Sequence, residues 1–123
     1  MDDLAPEVRE LIARHFDSVE SLEVVMLLRR SPQTFWAAPA VAEQLGMRPD
    51  TATSKLDALR RAGILAVGAQ TGAFRYAPHD DDLRKSIDEL ACAYAERRVS
   101  VINMIYAQNL ERLRAFSNAF RVK

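Results

Sequence analysis

The segment from Pro39 to Leu65, PAVAEQLGMRPDTATSKLDALRRAGIL, constrains the fold more than any other part of the chain. It contains two short helical patterns, each opened by a proline and each followed by a glycine, Gly46 and Gly63. Proline is common at the first position of a helix, and glycine is common directly after the last one. Ile64 then begins a strand-like run. The segment therefore predicts two short helices joined by a tight turn and followed by a strand.

Further elements are expected on both sides of this segment. Apolar residues at helical spacing predict a first helix over about residues 5–16 and a second over about residues 18–30. Residues 34–36 are β-prone and short, which predicts a single bridging strand. Residues 64–67 and 74–76 are strand-like, and the turn sequence GAQTGA between them predicts a β-hairpin.

No glycine or proline occurs from Asp80 onward, and apolar residues recur there at helical spacing. This pattern predicts a long C-terminal helix with acids at its start and bases at its end, which complements the helix dipole. A straight helix of that length would extend about 60 Å, which exceeds the width of a domain of this size. We therefore expect that part of it packs on a second chain, or that it breaks near Asn103 or near Gln108 and Asn109.

Composition limits the class of protein. The chain has 123 residues, of which 49% are hydrophobic, so a single domain with a core and an appended helix is expected. The expected division is a domain over residues 1–79 and a C-terminal helix over residues 80–123. No apolar run is long enough for a transmembrane segment, and the acidic N-terminus is unlike a secretory signal. A single cysteine, Cys92, fits a reducing compartment, so a cytoplasmic location is expected.

The formal net charge is zero, but the charges are unevenly distributed. Residues 1–47 carry four bases and eight acids, whereas residues 48–78 carry five bases and two acids. Proteins that grip DNA through its phosphates are usually basic overall, so the zero net charge counts against a nucleic-acid partner. The basic block over residues 48–78 counts in favour, because it predicts a local anion-facing surface.

The residues AVAEQLGMRPDTATSKLDALRRAGIL, Ala40 to Leu65, resemble the winged helix-turn-helix transcriptional regulators of bacteria, in the broad MarR-, ArsR- and PadR-like sense. The resemblance extends over about residues 18–78. It implies a mainly α fold in which the hairpin is the wing, and sequence-specific binding of double-stranded DNA by the second helix of the pair. The residues expected to contact DNA are Arg48, Thr51, Thr53, Ser54, Lys55, Arg60, Arg61 and Arg75. Two departures from the family pattern are acids on that helix, Asp50 and Asp57, and a wing tip over residues 68–73 without Lys or Arg.

The apolar stripe of the C-terminal helix is expected to form a homodimer, which would pair two reading helices on half-sites about one DNA turn apart. The residues expected at that interface are Leu83, Ile87, Leu90, Tyr94, Ile102, Ile105, Tyr106, Leu110, Leu113, Phe116 and Phe120. Another interpretation is that residues 102–123 bind a membrane surface or a protein partner. The corresponding alternative function is a winged-helix protein–protein interaction module without DNA binding, either an adaptor or a partner of a sigma factor or signalling protein.

Catalytic and metal-binding motifs are not found in the sequence. No P-loop, dinucleotide-binding glycine pattern or catalytic triad pattern occurs, and no Cys/His/carboxylate set has ligand spacing, so we expect no enzyme activity, no metal and no cofactor. Cys92 is expected to be a small buried hydrophobic residue. Phe35 and Trp36 are expected to be core residues beneath the hairpin, with an aromatic ligand wall as the alternative.

Overall fold

The computed structural model describes the backbone over residues 4–119 and side chains as far as Ala115. The described residues are mainly helical and contain one small antiparallel sheet, as the sequence predicts. The elements are α1 Pro6–His15, α2 Val19–Arg30, α3 Ala38–Leu45, α4 Pro49–Arg61, β1 Leu65–Val67, β2 Phe74–Tyr76, α5 Asp81–Glu96 and α6 Arg98–Ala119. None of the helices in this range combines the length and the apolarity needed to cross a bilayer.

The chain forms two compact units. The central unit comprises residues 20–86, and the terminal unit combines residues 1–19 with residues 87–123. This division differs from the expected boundary at residue 79, because α1 belongs with the C-terminal part of the chain. A sequence pattern identifies the apolar face of a helix but not the helix that covers it. The sequence therefore gives no sign that α1 belongs to the same unit as residues 87–123.

Local signals account for the α3–α4 pair in the central unit. Gly46 ends α3 in the left-handed region, with φ 69°, and the Met47 amide donates to the Ala42 carbonyl oxygen at 3.0 Å. The chain then enters α4 at Pro49. Ala52, Leu56 and Leu59 follow at helical spacing and are buried, so one side of α4 is fixed in the core.

The hairpin follows α4 after one tight turn. Gly63 adopts φ 83°, and the Ile64 amide donates to the Leu59 carbonyl oxygen at 3.0 Å, which closes the last turn of α4. In the hairpin, Leu65 pairs with Tyr76 and both side chains are buried. Backbone hydrogen bonds of 2.7 and 2.8 Å join Trp36 to Phe74 in an isolated bridge, which confirms the predicted bridging strand.

In the terminal unit, side chains of α6 cap the C-terminal end of α1. The Gln108 amide Nε2 donates to the carbonyl oxygens of Ile12 and Phe16 at 3.3 and 2.7 Å. Asn109 donates to the Asp17 carbonyl oxygen at 2.9 Å, and Arg112 donates to that of Ala13 at 3.0 Å. The last carbonyls of a helix lack partners within the helix, and these donors supply them. The Ile12 carbonyl oxygen also accepts from the Phe16 amide at 3.0 Å.

The C-terminal helical region is interrupted at Arg97, between the end of α5 at Glu96 and the start of α6 at Arg98. The prediction of a break near Asn103 or Gln108 is therefore wrong. Gln108 and Asn109 are polar because they cap α1, and not because the helix ends there. Their spacing along α6 gives no sign of this role, since it depends on a helix more than ninety residues earlier in the chain.

Several residues expected at a dimer interface lie in the core of the single chain. Ile87, Leu90, Tyr94 and Ile105 are buried by their own chain and offer no surface to a second one. Leu83 and Ile102 are half-buried. The remaining expected residues on α6 with described side chains, Tyr106, Leu110 and Leu113, are exposed. The side chain of Phe116 and the whole of Phe120 lie outside the described residues.

Cys92 is exposed, so the prediction of a buried thiol is wrong. It lies two residues from Leu90 and two from Tyr94, both of which are buried. Residues two apart on a helix point to opposite sides, so Cys92 faces away from these core residues, and it lines an open groove together with Leu4 and Val8.

Candidate nucleic-acid interface

The solvent side of α4 carries most of the residues that the sequence singles out. Ser54 and Arg61 are exposed, while the core residue Leu56 holds the opposite side of the helix. Arg48, Thr53 and Arg60 are also exposed, and Thr51 and Lys55 are half-buried. The structure thus places seven of the eight expected contact residues on α4 or at its first turn, and the eighth, Arg75, on the hairpin.

Two arginines at the end of α4 share one carboxylate. Arg60 donates two hydrogen bonds to Asp57, at 3.1 Å from Nε and 2.8 Å from Nη2. The Arg61 Nε lies 3.3 Å from the other oxygen of Asp57. The hydrogen bond from Arg60 and the charges of both guanidinium groups lower the pKa of Asp57, against a smaller opposing effect of desolvation. Asp57 therefore holds both arginines along the exposed side of the helix.

A weaker pair of the same kind occurs at the start of α4. The Arg48 Nη2 lies 3.5 Å from a carboxylate oxygen of Asp50, and both side chains are more than three-quarters exposed. Exposed pairs of this length contribute little to stability. A phosphate would therefore compete readily for Arg48, whereas Arg60 and Arg61 are held more closely.

The hydroxyl group of Thr53 is already a donor within the helix. Its Oγ1 donates to the Pro49 carbonyl oxygen at 3.0 Å. Thr53 Oγ1 can still accept a hydrogen bond, for example from the exocyclic amino group of adenine or cytosine. Ser54, which is exposed on the same helix, adds a second hydroxyl group.

The hairpin presents an arginine and an aromatic ring together. The Arg75 guanidinium carbon lies 5.6 Å from the centroid of the Phe35 ring, which is a cation–π distance. Arg75 alternates along β2 with the buried Tyr76 and therefore faces away from the core. Phe35 is 49% exposed, so its expected place in the core is wrong, and Trp36 is half-buried. The sequence predicts Phe35 within the bridging strand of residues 34–36 but does not reveal its contact with Arg75.

The turn after the hairpin connects the end of α4 with the start of α5. The His79 amide donates to the Gly63 carbonyl oxygen at 2.9 Å. The next residue, Asp80, accepts from the Leu83 amide at 2.7 Å and so caps α5. The hairpin is in this way fixed at both ends next to α4.

Among residues 4–119, no group of three or more His, Cys, Asp or Glu side chains is arranged to hold a metal ion. The chain matches no protein-family model, no curated protein sequence and no solved structure.

Proposed function

We propose that the chain is a winged helix-turn-helix protein that binds double-stranded DNA in a sequence-specific manner and regulates transcription. The observation that carries this proposal is the exposed side of α4, which presents hydroxyl groups and bases opposite a side fixed in the core. In this proposal α4 lies in the major groove and the β1–β2 hairpin is the wing. Arg48, Thr53, Ser54 and Lys55 contact base edges or phosphates, and Arg60 and Arg61 contact the phosphate backbone.

Charge supports this assignment. Residues 48–78 carry a net charge of +3 in a chain whose net charge is zero. A local excess of bases around one exposed helix attracts a polyanion to that helix, because counterions are released from each neutralised phosphate. The proposal includes a homodimer in the cytoplasm of a bacterium, in which two copies of α4 bind a two-fold symmetric site.

The test is a titration of full-length protein with labelled duplex at low salt, followed by fluorescence anisotropy. Fragments selected from bacterial genomic DNA and a duplex of mixed sequence serve as probes. We expect the double variant Arg48→Ala/Lys55→Ala to bind at least about tenfold more weakly, with a shallower dependence on salt. Arg84→Ala/Lys85→Ala removes the same charge from exposed positions on α5 and is the matched control. Unchanged affinity in the first variant would remove Arg48 and Lys55 from the interface and contradict the placement of the first half of α4 against DNA.

A second candidate function is a winged-helix protein–protein interaction module that does not bind DNA. It is favoured by the ion pairs of Arg48, Arg60 and Arg61 with carboxylates on the same helix, since those carboxylates repel phosphate. This candidate predicts no salt-dependent affinity for duplex DNA of any sequence. A steep fall of the DNA association constant with salt concentration excludes it, whereas DNA binding requires such a fall.

A further inference from the structure

One side of α6 is apolar and exposed. Tyr106, Leu110 and Leu113 are 57%, 60% and 62% exposed, respectively. Their spacing of four and three residues aligns them along one side of the helix. Val101, Ile105 and Gln108 lie on the other side, which is turned toward the core and α1. We call Tyr106, Leu110 and Leu113 the α6 stripe. Side chains of this size in a row are typical of an interaction surface.

The terminal unit also contains a groove with more acidic than basic lining residues. Its volume is about 480 Å³, which lies within the usual range for binding clefts. Leu4, Val8 and Ala93 are among its apolar lining residues, and Asp88, Glu89 and Glu96 of α5 also line it. Arg97 is the single base among the lining residues. We call this cleft the α1–α5 groove. It suits an apolar ligand that carries positive charge.

Charges along the C-terminal region are segregated in a complementary way. Residues 87–96 contain three acids and no base, whereas residues 98–123 contain five bases and one acid. Arg112 donates to the Ala13 carbonyl oxygen on the α1 side of α6, whereas Arg114, the residue directly after Leu113, is exposed and lies 3.8 Å from Glu111. Among the described residues the stripe is therefore flanked by one exposed base, Arg114, with Glu111 as its partner, and the groove is lined by three acids and one base.

We propose that the α1–α5 groove of one protomer receives the α6 stripe of a second copy of this chain, and that the same contact is made twice about a two-fold axis. The inference rests on the proposed homodimer and names its two surfaces. Pairing one stripe with the other would offer Arg114 no described acid on the stripe side of α6 beyond Glu111. Pairing stripe with groove buries the same leucines and places Arg114 near Glu89 and Glu96 instead. Charge complementarity of this kind fixes the register of a contact and selects its partner.

Two charge reversals of the full-length chain test the pairing by sedimentation equilibrium at low salt without DNA. Glu89→Lys/Glu96→Lys reverses the groove, and Arg114→Glu reverses the stripe. We expect each variant alone to raise the dimer dissociation constant by about tenfold or more. An equimolar mixture should recover affinity close to that of the unmodified protein, because both contacts of the mixed dimer are complementary. Glu20→Lys/Glu43→Lys makes the same charge change at exposed positions of the central unit and should leave the dimer intact.

Each of the other outcomes overturns the proposal. A groove variant that dimerises normally assigns the interface to other surfaces, and a mixture that stays monomeric excludes pairing between these charges. Unmodified protein that is monomeric at every concentration excludes the dimer itself. Circular dichroism of each variant establishes that it is folded. Since no DNA is present, failure of DNA binding by α4 leaves this result unaffected, and the two proposals fail separately.

Discussion

Asp57 controls how much positive charge the end of α4 can offer. Its carboxylate holds Arg60 and Arg61 at 2.8 and 3.3 Å. If α4 binds DNA, each phosphate contact of these arginines competes with that carboxylate. We expect Asp57→Asn, which keeps the shape of the side chain but removes its charge, to tighten binding to duplex DNA by about three- to tenfold at low salt. Fluorescence anisotropy at several salt concentrations measures this.

Glu43→Gln is the matched control for Asp57→Asn. It removes one exposed negative charge from α3. Tighter binding in both variants would mean that net charge alone is responsible, and unchanged binding in Asp57→Asn would remove Arg60 and Arg61 from the interface.

The pKa of Asp57 is lowered by Arg60 and Arg61. The stability that the Asp57 carboxylate contributes is therefore present above its unfolded-state pKa and is lost only as the pH falls through its folded-state pKa. At neutral pH the Asp57 carboxylate is therefore charged, and Asp57→Asn, like Glu43→Gln, removes one negative charge.

Gly63 is sensitive to substitution for two separable reasons. Its φ of 83° is strained for any residue with a side chain, which costs about 1–2 kcal/mol. A Cβ atom at this position would also collide with the His79 imidazole. We expect Gly63→Ala to lower the free energy of unfolding, measured in urea, by more than Gly46→Ala does. Gly46 has a similar φ of 69°, but a Cβ atom there would have no neighbour within 4 Å.

The His79 contact accounts for the expected difference between these two glycines. In a His79→Ala background, Gly63→Ala and Gly46→Ala should cost about the same. An extra cost of Gly63→Ala that persists without His79 would locate the strain elsewhere in the turn.

At the scale of elements, the Gln108 amide makes two of the four side-chain hydrogen bonds described between α6 and the end of α1. Gln108 donates to two carbonyl oxygens at the end of α1. Gln108→Glu keeps the shape of the side chain but places a carboxylate against those oxygens and the negative end of the helix dipole. We expect it to lower the free energy of unfolding by about 2 kcal/mol or more. Glu111 is exposed on α6. Glu111→Gln replaces a carboxylate by an amide, the reverse of Gln108→Glu, and should leave the free energy of unfolding nearly unchanged.

Elements bounded by local signals were predictable from the sequence. Pro39, Gly46 and Gly63 mark the ends of α3 and α4 because proline and glycine restrict or permit particular backbone angles wherever they occur. The exposed residues of α4 followed from the spacing of Ala52 and Leu56. By contrast, the break at Arg97 carries no proline or glycine, and the capping role of Gln108 depends on a distant helix. A contact with a distant part of the chain leaves no recognisable signal in the local sequence around the residue that makes it.

At the scale of the whole molecule, the two sides of α6 have different roles, and the same substitution on each side should separate them. Ile105 is fully buried in the chain itself, so Ile105→Ala should cost about 2–4 kcal/mol of unfolding free energy. Leu110 is 60% exposed, and Leu110→Ala should cost less than about 0.5 kcal/mol in dilute, monomeric protein. Urea denaturation at low protein concentration measures both. Equal costs would contradict the assignment of the two sides.

Deletion of α6 is a poor substitute for such point variants. The Val8, Leu11 and Ile12 side chains of α1 are buried, and α1 packs against α6. A chain that ends before α6 would expose these residues, so its association state would report the damage to the terminal unit and not the loss of the stripe.

The discontinuous make-up of the terminal unit has a consequence for the order of folding during synthesis. The central unit is one continuous segment and can form as soon as residue 86 has left the ribosome. At that point α1 has already left the ribosome, but α6, which caps the last carbonyls of α1, has not yet been synthesised. Closing a contact across more than ninety residues is slow compared with forming a helical hairpin. The apolar side of α1 must therefore wait for α6, and a holdase that binds nascent chains would find a target in α1.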